Sequence, residues 1–425
     1  MRNTEFFKNK KITIVGLARS GVACANLLQS LGANVRITDI KNTAQTKAFA
    51  KLLSSKKIKW ELGKHSKSFI QEADMVVVSP GVLGNAAPII WAKEFAKPVY
   101  AEIEIASMLC PAQIIAVTGA NGKTTVTTLI GKIIKASRKR VFVCGNIGNP
   151  FSGEVSKMRQ GDFVVLEVSS FQLERIKDFK PKIAIIINIT PNHLDRYKNM
   201  QEYLDAKKRI FLNQDKHDFL ILNGRDPLLK KIAQQSKAKV EFFTQEPGLN
   251  PNQTVVFKVG KILGINKQKM LGVFKQFKGI QHRMEEVAMI NNVKFINDSK
   301  ATTADSAIWA LNSITGPVVL IAGGRHKGID YGVIKPAAKN KVKQVILMGE
   351  AKNLIADCLK GEFPVEKVNS LEEAVNMAYK FAKAGWSVLL SPMCSSYDMF
   401  TDYEERGRIF KKIVLDLAKK NKIHG

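Results

Sequence analysis

Between Ile114 and Thr125 the chain reads IIAVTGANGKTT: an apolar run, a turn with two glycines, then Lys-Thr-Thr opening a helical pattern that continues to Ala136. No other segment constrains the fold so tightly. A buried-type strand passing through a glycine turn into a helix is half of a strand–helix–strand unit, and such units build parallel sheets covered on both faces. The turn also dictates chemistry. Backbone N–H groups of such a loop converge on phosphate oxygens, and the helix N-terminus adds partial positive charge. Lys123 is expected to bridge the terminal phosphates and the Thr124 hydroxyl to be a Mg²⁺ ligand. Val117 stands where the generic phosphate loop has its first glycine, so the string is a variant, TGxNGKTT.

The same alternation runs along the chain. Lys11 to Val15 predicts a strand, followed by Gly16, Ala18, Gly21 and a helix; Val35 to Thr38 ends at Asp39, and Met75 to Val78 ends in Ser79-Pro80-Gly81. After the phosphate loop come strands at Val141 to Cys144, Phe163 to Glu167 and Ile183 to Asn188, then at Lys294 to Asn297, Val318 to Ala322, Gln344 to Met348 and Trp386 to Leu390. At 425 residues a single core is unusual. Three consecutive α/β domains are expected, at 1–101, 102–279 and 280–425. Residues 237–278 are the least legible, and Val255 to Leu263 reads equally as helix or strand.

Composition excludes several classes. No apolar run approaches the ~20 residues of a membrane span. The N-terminus passes directly into a strand, unlike a secretory signal. Cys24, Cys110, Cys144, Cys358 and Cys394 form no CxxC pair, as expected of reduced thiols in a cytoplasm. Lys plus Arg is 66 against 37 Asp plus Glu, a net charge of +29, which attracts polyanions in general. The lysines are spread through every segment and no basic run is interleaved with aromatics, so they read as solvated faces and no nucleic-acid partner is expected.

Other motifs gather at predicted strand ends. Gly16-Leu17-Ala18-Arg19-Ser20-Gly21 is an incomplete dinucleotide fingerprint, with Asp39 placed to meet a ribose or base. A nicotinamide cofactor and a nucleotide-linked substrate both fit, the latter better. Glu167 ends a strand facing the phosphates and suits Mg²⁺. His193 leaves the next strand toward the same crevice, where a metal or substrate role is expected of it. Tyr203 to Phe211 is a basic helix whose Lys207 and Lys208 read as solvated. In the last third, Asn297 to Thr302, Gly323 to Gly328 and Ser391 to Asp398 are polar loops expected to converge as an anion site. Ser396 is a donor suited to a carboxylate; Cys394 reads as packing, with no His-based dyad evident.

Taken together, TGANGKTT, GNIGNP (145–150), LEVSSFQLE (166–174), NITPNHLDRY (188–197), INDSKAT (296–302) and LLSPMCSSYDMF (389–400) resemble the Mur ligases of bacterial peptidoglycan synthesis, and among them the D-glutamate-adding type. The resemblance runs in order over nearly the whole chain. It implies an N-terminal Rossmann-like domain gripping a UDP group, a central phosphate-loop ATPase with a mostly parallel sheet, and a C-terminal Rossmann-like domain presenting the amino acid. The implied reaction is ATP-dependent amide formation between UDP-N-acetylmuramoyl-L-alanine and D-glutamate through an acyl phosphate, in a cytoplasmic monomer. ATP would be held by Gly119, Asn121, Gly122, Lys123, Thr124, Thr125, Asn252, Arg283, Asp298 and Lys300. The UDP substrate would meet Gly16, Ser20, Asp39, Ser79, Gly81 and Asn146, and D-glutamate Thr302, Lys327, Ser396 and Tyr403. Two Mg²⁺ sites are implied, drawing on Thr124, Glu167, His193 and a carbamylated Lys207; Lys123, Glu167, His193 and Lys207 are the implied catalytic set. The family's GxHNxxN string is absent, with Gly248-Leu249-Asn250-Pro251-Asn252 in its region, and Lys41 replaces an arginine expected at the UDP site.

Overall fold

A computed structural model describes residues 4–190, 197–326 and 328–423. The chain divides into two compact units, Met1–Phe277 and Lys278–Gly425. The first unit contains two sheets. Strands β1 (Lys11–Val15), β2 (Asn34–Asp39), β3 (Lys59–Leu62), β4 (Met75–Val78) and β5 (Val99–Ala101) form a parallel sheet in the order β3-β2-β1-β4-β5. The chain winds outward from β1 and then from β4, so the turns leaving these neighbours open on one crevice, the usual ligand position in such sheets.

The second sheet repeats this logic. Strands β6 (Gln113–Thr118), β7 (Val141–Gly145), β8 (Phe163–Glu167), β9 (Ile183–Ile186), β10 (Phe219–Asn223) and β11 (Lys239–Phe243) are parallel in the order β11-β10-β9-β6-β8-β7. β6 lies between β8 and β9, so the phosphate loop, Glu167 and the segment after β9 leave the same edge. Helix Lys123–Ala136 buries Val126, Leu129, Ile130, Ile133 and Ile134 against this sheet and against Val255, Val256 and Val259. Each such side chain contributes roughly 1.5–3 kcal/mol by leaving water. The ambiguous segment is helix Pro251–Ile262, capped by Asn250, whose side chain accepts the Gln253 N–H while Gln253 reciprocates. Helical spacing puts its valines on the core side, which outweighs their β-propensity.

The two sheets of this unit share a core that includes Leu27, Ile103 and Phe151. The buried Glu104 carboxylate fixes the junction by accepting N–H groups of Lys177, Asp178 and Phe179 at 2.9, 2.8 and 3.0 Å.

In the second unit, β12 (Glu285–Ile290), β13 (Val293–Asn297), β14 (Val318–Gly323), β15 (Val342–Met348), β16 (Val365–Lys367) and β17 (Ser387–Leu390) run in the order β12-β13-β17-β14-β15-β16. Only β12 is antiparallel; it joins β13 through Asn291 and Asn292, both at positive φ (46° and 60°), as a tight hairpin requires. β13, β17 and β14 are neighbours, so the three polar loops expected to converge do leave one edge together. No described helix is long and apolar enough to cross a membrane.

Candidate functional site

The phosphate loop joins β6 to helix Lys123–Ala136. Gly122 precedes the helix in the left-handed conformation (φ 82°), and a Cβ there would lie 2.7 Å from Asn252 Oδ1. The positive φ favours glycine here, and Asn252 lies against the loop. Asn188, two residues past β9, clamps the turn. Its Oδ1 accepts the N–H groups of Ala120 (3.0 Å) and Asn121 (2.9 Å), and its Nδ2 donates to Asn121 O (3.1 Å). Those two amides are therefore spent on the loop's own shape, and the anion-attracting end is the first helical turn. Lys123 Nζ lies over the turn, donating to Gly119 O and Ala120 O at 2.9 Å each.

Thr124 and Glu167 meet below the loop. The Thr124 hydroxyl donates to Glu167 Oε2 at 2.8 Å, and Asn146 Nδ2 donates to Oε1 at 2.9 Å. Gly145 (φ 105°) allows this approach, since a Cβ there would meet Glu167 O at 2.5 Å. A hydroxyl and a carboxylate are hard oxygen donors and fit one Mg²⁺. Among the described residues no group of three or more His, Cys, Asp or Glu could hold a metal. His193 lies outside the described residues.

Lys207 departs from the sequence reading. It is 2% exposed instead of solvated, because the last turn of helix Met200–Lys208 points it inward. Its Nζ donates to Gly119 O (3.1 Å) and Thr118 Oγ1 (3.3 Å) and lies 4.7 Å from the Tyr203 ring centroid. Burial, reinforced by the nearby Lys123 charge and opposed by Glu167, pulls its pKa well below the ordinary lysine value. An amine so placed is available in its neutral, nucleophilic form.

At the first sheet, Gly16 (φ 102°) packs under Ser79, whose hydroxyl donates to Gly16 O at 3.0 Å. Gly21 is equally constrained: a Cβ would lie 2.0 Å from Gly16 O. Asp39 does not reach out from its strand end as the sequence suggests; its oxygens accept the N–H groups of Leu17 (2.7 Å) and Lys41 (2.8 Å), so it first shapes the turn. Ser20 is in the first turn of helix Arg19–Ser30, and Gly81 has nothing within 4 Å of where a Cβ would project.

In the second unit, Asp298 follows β13 and is nearly buried, accepting from Met284 N (3.2 Å) and Ser391 Oγ (3.1 Å). Burial pushes its carboxyl up to about 7 against those hydrogen bonds and the Arg283 charge. Arg283 stacks on Trp309 (5.6 Å to the ring centroid), and Lys300 lies 5.9 Å from the Tyr403 ring centroid. His282 is buried on Gly407, where a Cβ would lie 2.1 Å from its Nδ1. Ser396 is buried, and the Thr302 N–H donates to Lys300 O at 2.8 Å. Lys327 is outside the described residues. Cys394 is buried as expected, yet it has an unforeseen neighbour. Gly328 N–H donates to His326 Nε2 (3.0 Å), so His326 Nδ1 carries the proton toward Tyr331 OH (3.0 Å), which lies 3.1 Å from Cys394 Sγ.

Three family models match the chain in order: "Mur ligase MurD-like, N-terminal domain" at residues 10–100, "Mur ligase middle domain" at 117–279 and "Mur ligase, glutamate ligase domain" at 282–394. The UDP-N-acetylmuramoylalanine–D-glutamate ligase of Thermoanaerobacter pseudethanolicus is 40% identical, over 97% of this chain and 99% of its own. The chain belongs to the Mur ligase family. The ligase of the same name from Geotalea uraniireducens is also 40% identical, over 96% of this chain and 98% of its own. Among solved structures, UDP-N-acetylmuramate-alanine ligase from Thermotoga maritima superposes with a TM-score of 0.58 at 20% identity, covering 96% of this chain and 99% of its own. That likeness carries the three-domain Mur ligase fold. Within this Mur ligase the structure gathers Gly119, Asn121, Gly122, Lys123, Thr124, Thr125, Asn252, Glu167, Asn146 and Lys207 in one neighbourhood of the first unit. Asn188 heads NITPNHLDRY, yet the sequence does not mark it as a site residue, because its contribution is to backbone geometry and not to a ligand.

Proposed function

We propose that this chain is an ATP-dependent acid–amino-acid ligase joining D-glutamate to UDP-N-acetylmuramoyl-L-alanine in cytoplasmic peptidoglycan precursor synthesis, and so serving cell-wall growth, cell shape and division. Full-length 40% identity to ligases of that name carries the reading. The phosphate loop supplies its physical basis. Domain limits near 101 and 279 are proposed with it, the first inside the first compact unit and the second beside its end.

The alanyl carboxylate is a poor acyl donor at neutral pH. Its oxygen attacks the γ-phosphorus of ATP and ADP leaves, giving an acyl phosphate with a good leaving group. The D-glutamate amine then attacks the carbonyl carbon, and the tetrahedral adduct collapses to the amide, phosphate and a proton. Lys123 neutralises the terminal phosphates while Asn188 holds the loop at fixed curvature, so little reorganisation is needed at the transition state. Thr124 and Glu167 would hold Mg²⁺, which when bound offsets repulsion between carboxylate and γ-phosphate. Lys207 in its neutral form adds to carbon dioxide, losing a proton and gaining an anionic carbamate; with His193 this would provide the second Mg²⁺ site. Gly16, Ser20, Asp39, Ser79 and Gly81 shape the UDP end. Arg283, Asp298 and Lys300 serve the nucleotide, and Thr302, Lys327, Ser396 and Tyr403 serve D-glutamate.

Phosphate release by the purified protein tests this. The expected requirement is for both UDP-N-acetylmuramoyl-L-alanine and an amino acid, with D-glutamate preferred in a panel. Release stimulated by DNA or RNA alone would instead make the +29 charge functional and overturn the ligase reading.

A further inference from the structure

Arg406 is the largest fully buried side chain among the described residues, and the reaction above does not use it. It lies in the first turn of helix Tyr403–Ile423. Its Nε donates to Ser299 Oγ (3.0 Å), and its Nη2 donates to Ser299 O (2.9 Å) and Cys394 O (3.3 Å). Ser299 Oγ in turn donates to Tyr403 O (2.8 Å). A Cβ at Gly324 would lie 2.3 Å from Ser395 O and 3.3 Å from Arg406 Nη1, so only a residue without a side chain passes this close to the guanidinium. Burying a cation is costly unless its donors are used, and packing alone is served better by Met or Leu. A planar fork reaching two loops at once is what arginine offers and lysine does not. Nη1 and Asp398 Oδ1 are both buried without hydrogen-bond partners among the described residues, and the Asp398 charge acts on the guanidinium. Asp398 is anchored by its other oxygen, which accepts Glu350 N–H at 2.9 Å.

We infer that Arg406 is the positioning residue of the amino-acid pocket, fixing the loops after β13 and β17 to the helix that begins at Tyr403. Thr302 lies three residues beyond Ser299, Ser396 two beyond Cys394, and Tyr403 one turn before Arg406. Arg406 thus sits where the segments carrying these three groups are tied together, and Asp398 supports it electrostatically. This rests on the reading of those residues as amino-acid contacts.

The test compares Arg406→Lys and Asp398→Asn with the wild type, measuring KM for D-glutamate, KM for UDP-N-acetylmuramoyl-L-alanine, kcat and melting temperature. A positioning role predicts a rise of about tenfold or more in KM for D-glutamate with Arg406→Lys and a smaller rise with Asp398→Asn. KM for the UDP substrate should stay within about twofold. If both KM values move together, or neither moves, the inference fails. Should Arg406→Lys not fold, Asp398→Asn decides alone by the same criterion. A wild-type enzyme that prefers another amino acid overturns the D-glutamate reading and not this one, and the ratio is then measured with that amino acid.

Discussion

Thr124 donates its hydroxyl to Glu167 across 2.8 Å, and the opposite oxygen of the same carboxylate receives Asn146. Both oxygens of Glu167 are thus acceptors in a buried place. Glu167→Gln puts an N–H donor in place of one of them, which the Thr124 hydroxyl can meet by turning to accept, so the main loss is the charge that suits a divalent cation. The expected outcome is a fall in kcat of about a hundredfold or more, with a higher Mg²⁺ requirement, while Thr124→Ser stays close to wild type. Phosphate release measured across a Mg²⁺ titration checks this; a Gln variant with unchanged Mg²⁺ dependence removes Glu167 from the metal site.

Asn188 makes three side-chain hydrogen bonds to the phosphate loop. Each contributes about 1 kcal/mol net, and the amides it satisfies lose a partner when it is cut back. Asn188→Ala should lower the melting temperature and raise KM for ATP by about tenfold, because the loop no longer arrives preformed. Asn188→Asp should fare nearly as badly. It keeps the acceptor but loses the donor to Asn121 O and places an anion beside the phosphates. Steady-state kinetics in ATP with parallel thermal melts separate the two effects; a stable Asn188→Ala with wild-type KM would falsify the clamp.

Lys207 should be needed as a reactive amine and not simply as a cation. Lys207→Ala is expected to be nearly inactive and partly rescued by short carboxylic acids, which bring back an anion. Wild-type activity should decline when carbon dioxide is rigorously removed and return with bicarbonate. The physical driver is the depressed pKa that burial imposes, since only the neutral amine adds to carbon dioxide. Indifference to both treatments would return Lys207 to a structural role beside Thr118 and Gly119.

The difference between Lys207 and Lys123 shows what the sequence carries and what it hides. Lys123 is legible because a local pattern of strand, glycine turn and helix fixes its place. Lys207 lies in MQEYLDAKK, where helical spacing makes it as plausible outside as in, and only tertiary packing against Tyr203 decides. β1, β4 and β8 are readable to the residue because they are apolar runs ended by turns. β3, β11 and β16 are edge strands carrying Lys and Glu, as exposed edges do, and so resemble loops. β10 has a legible apolar run in FLIL but lies in a stretch without motifs. β12 is flagged chiefly by Asn291-Asn292, a hairpin turn signal. Arg406 could not be found by sequence reasoning from the residues, because an arginine at the start of an exposed-looking helix gives no sign that its fork turns inward toward two loops from other strands.

Asp298 gives a pH dependence whose sign can be worked out. Its carboxyl is pushed up to about 7 in the folded protein from the ordinary value of 3.8, burial outweighing the hydrogen bonds from Met284 and Ser391. Between these two values the folded state binds more protons at this site than the unfolded chain. The contribution is thus fully present below about pH 4 and is lost as pH rises through about 7. Asp298→Asn mimics the protonated carboxyl, since its oxygen can accept Met284 N–H and its amide can face the Ser391 hydroxyl acting as acceptor. The variant should therefore gain stability relative to wild type as pH rises from 4.5 to 8, by up to a few kcal/mol, with the gain levelling off above pH 7. Arg283 works against the effect by favouring the anion, so Arg283→Gln should shift the wild-type transition to higher pH. Thermal melts of the three proteins across this range decide the matter: parallel curves would mean that Asp298 is ionised throughout and that its burial is offset by charge.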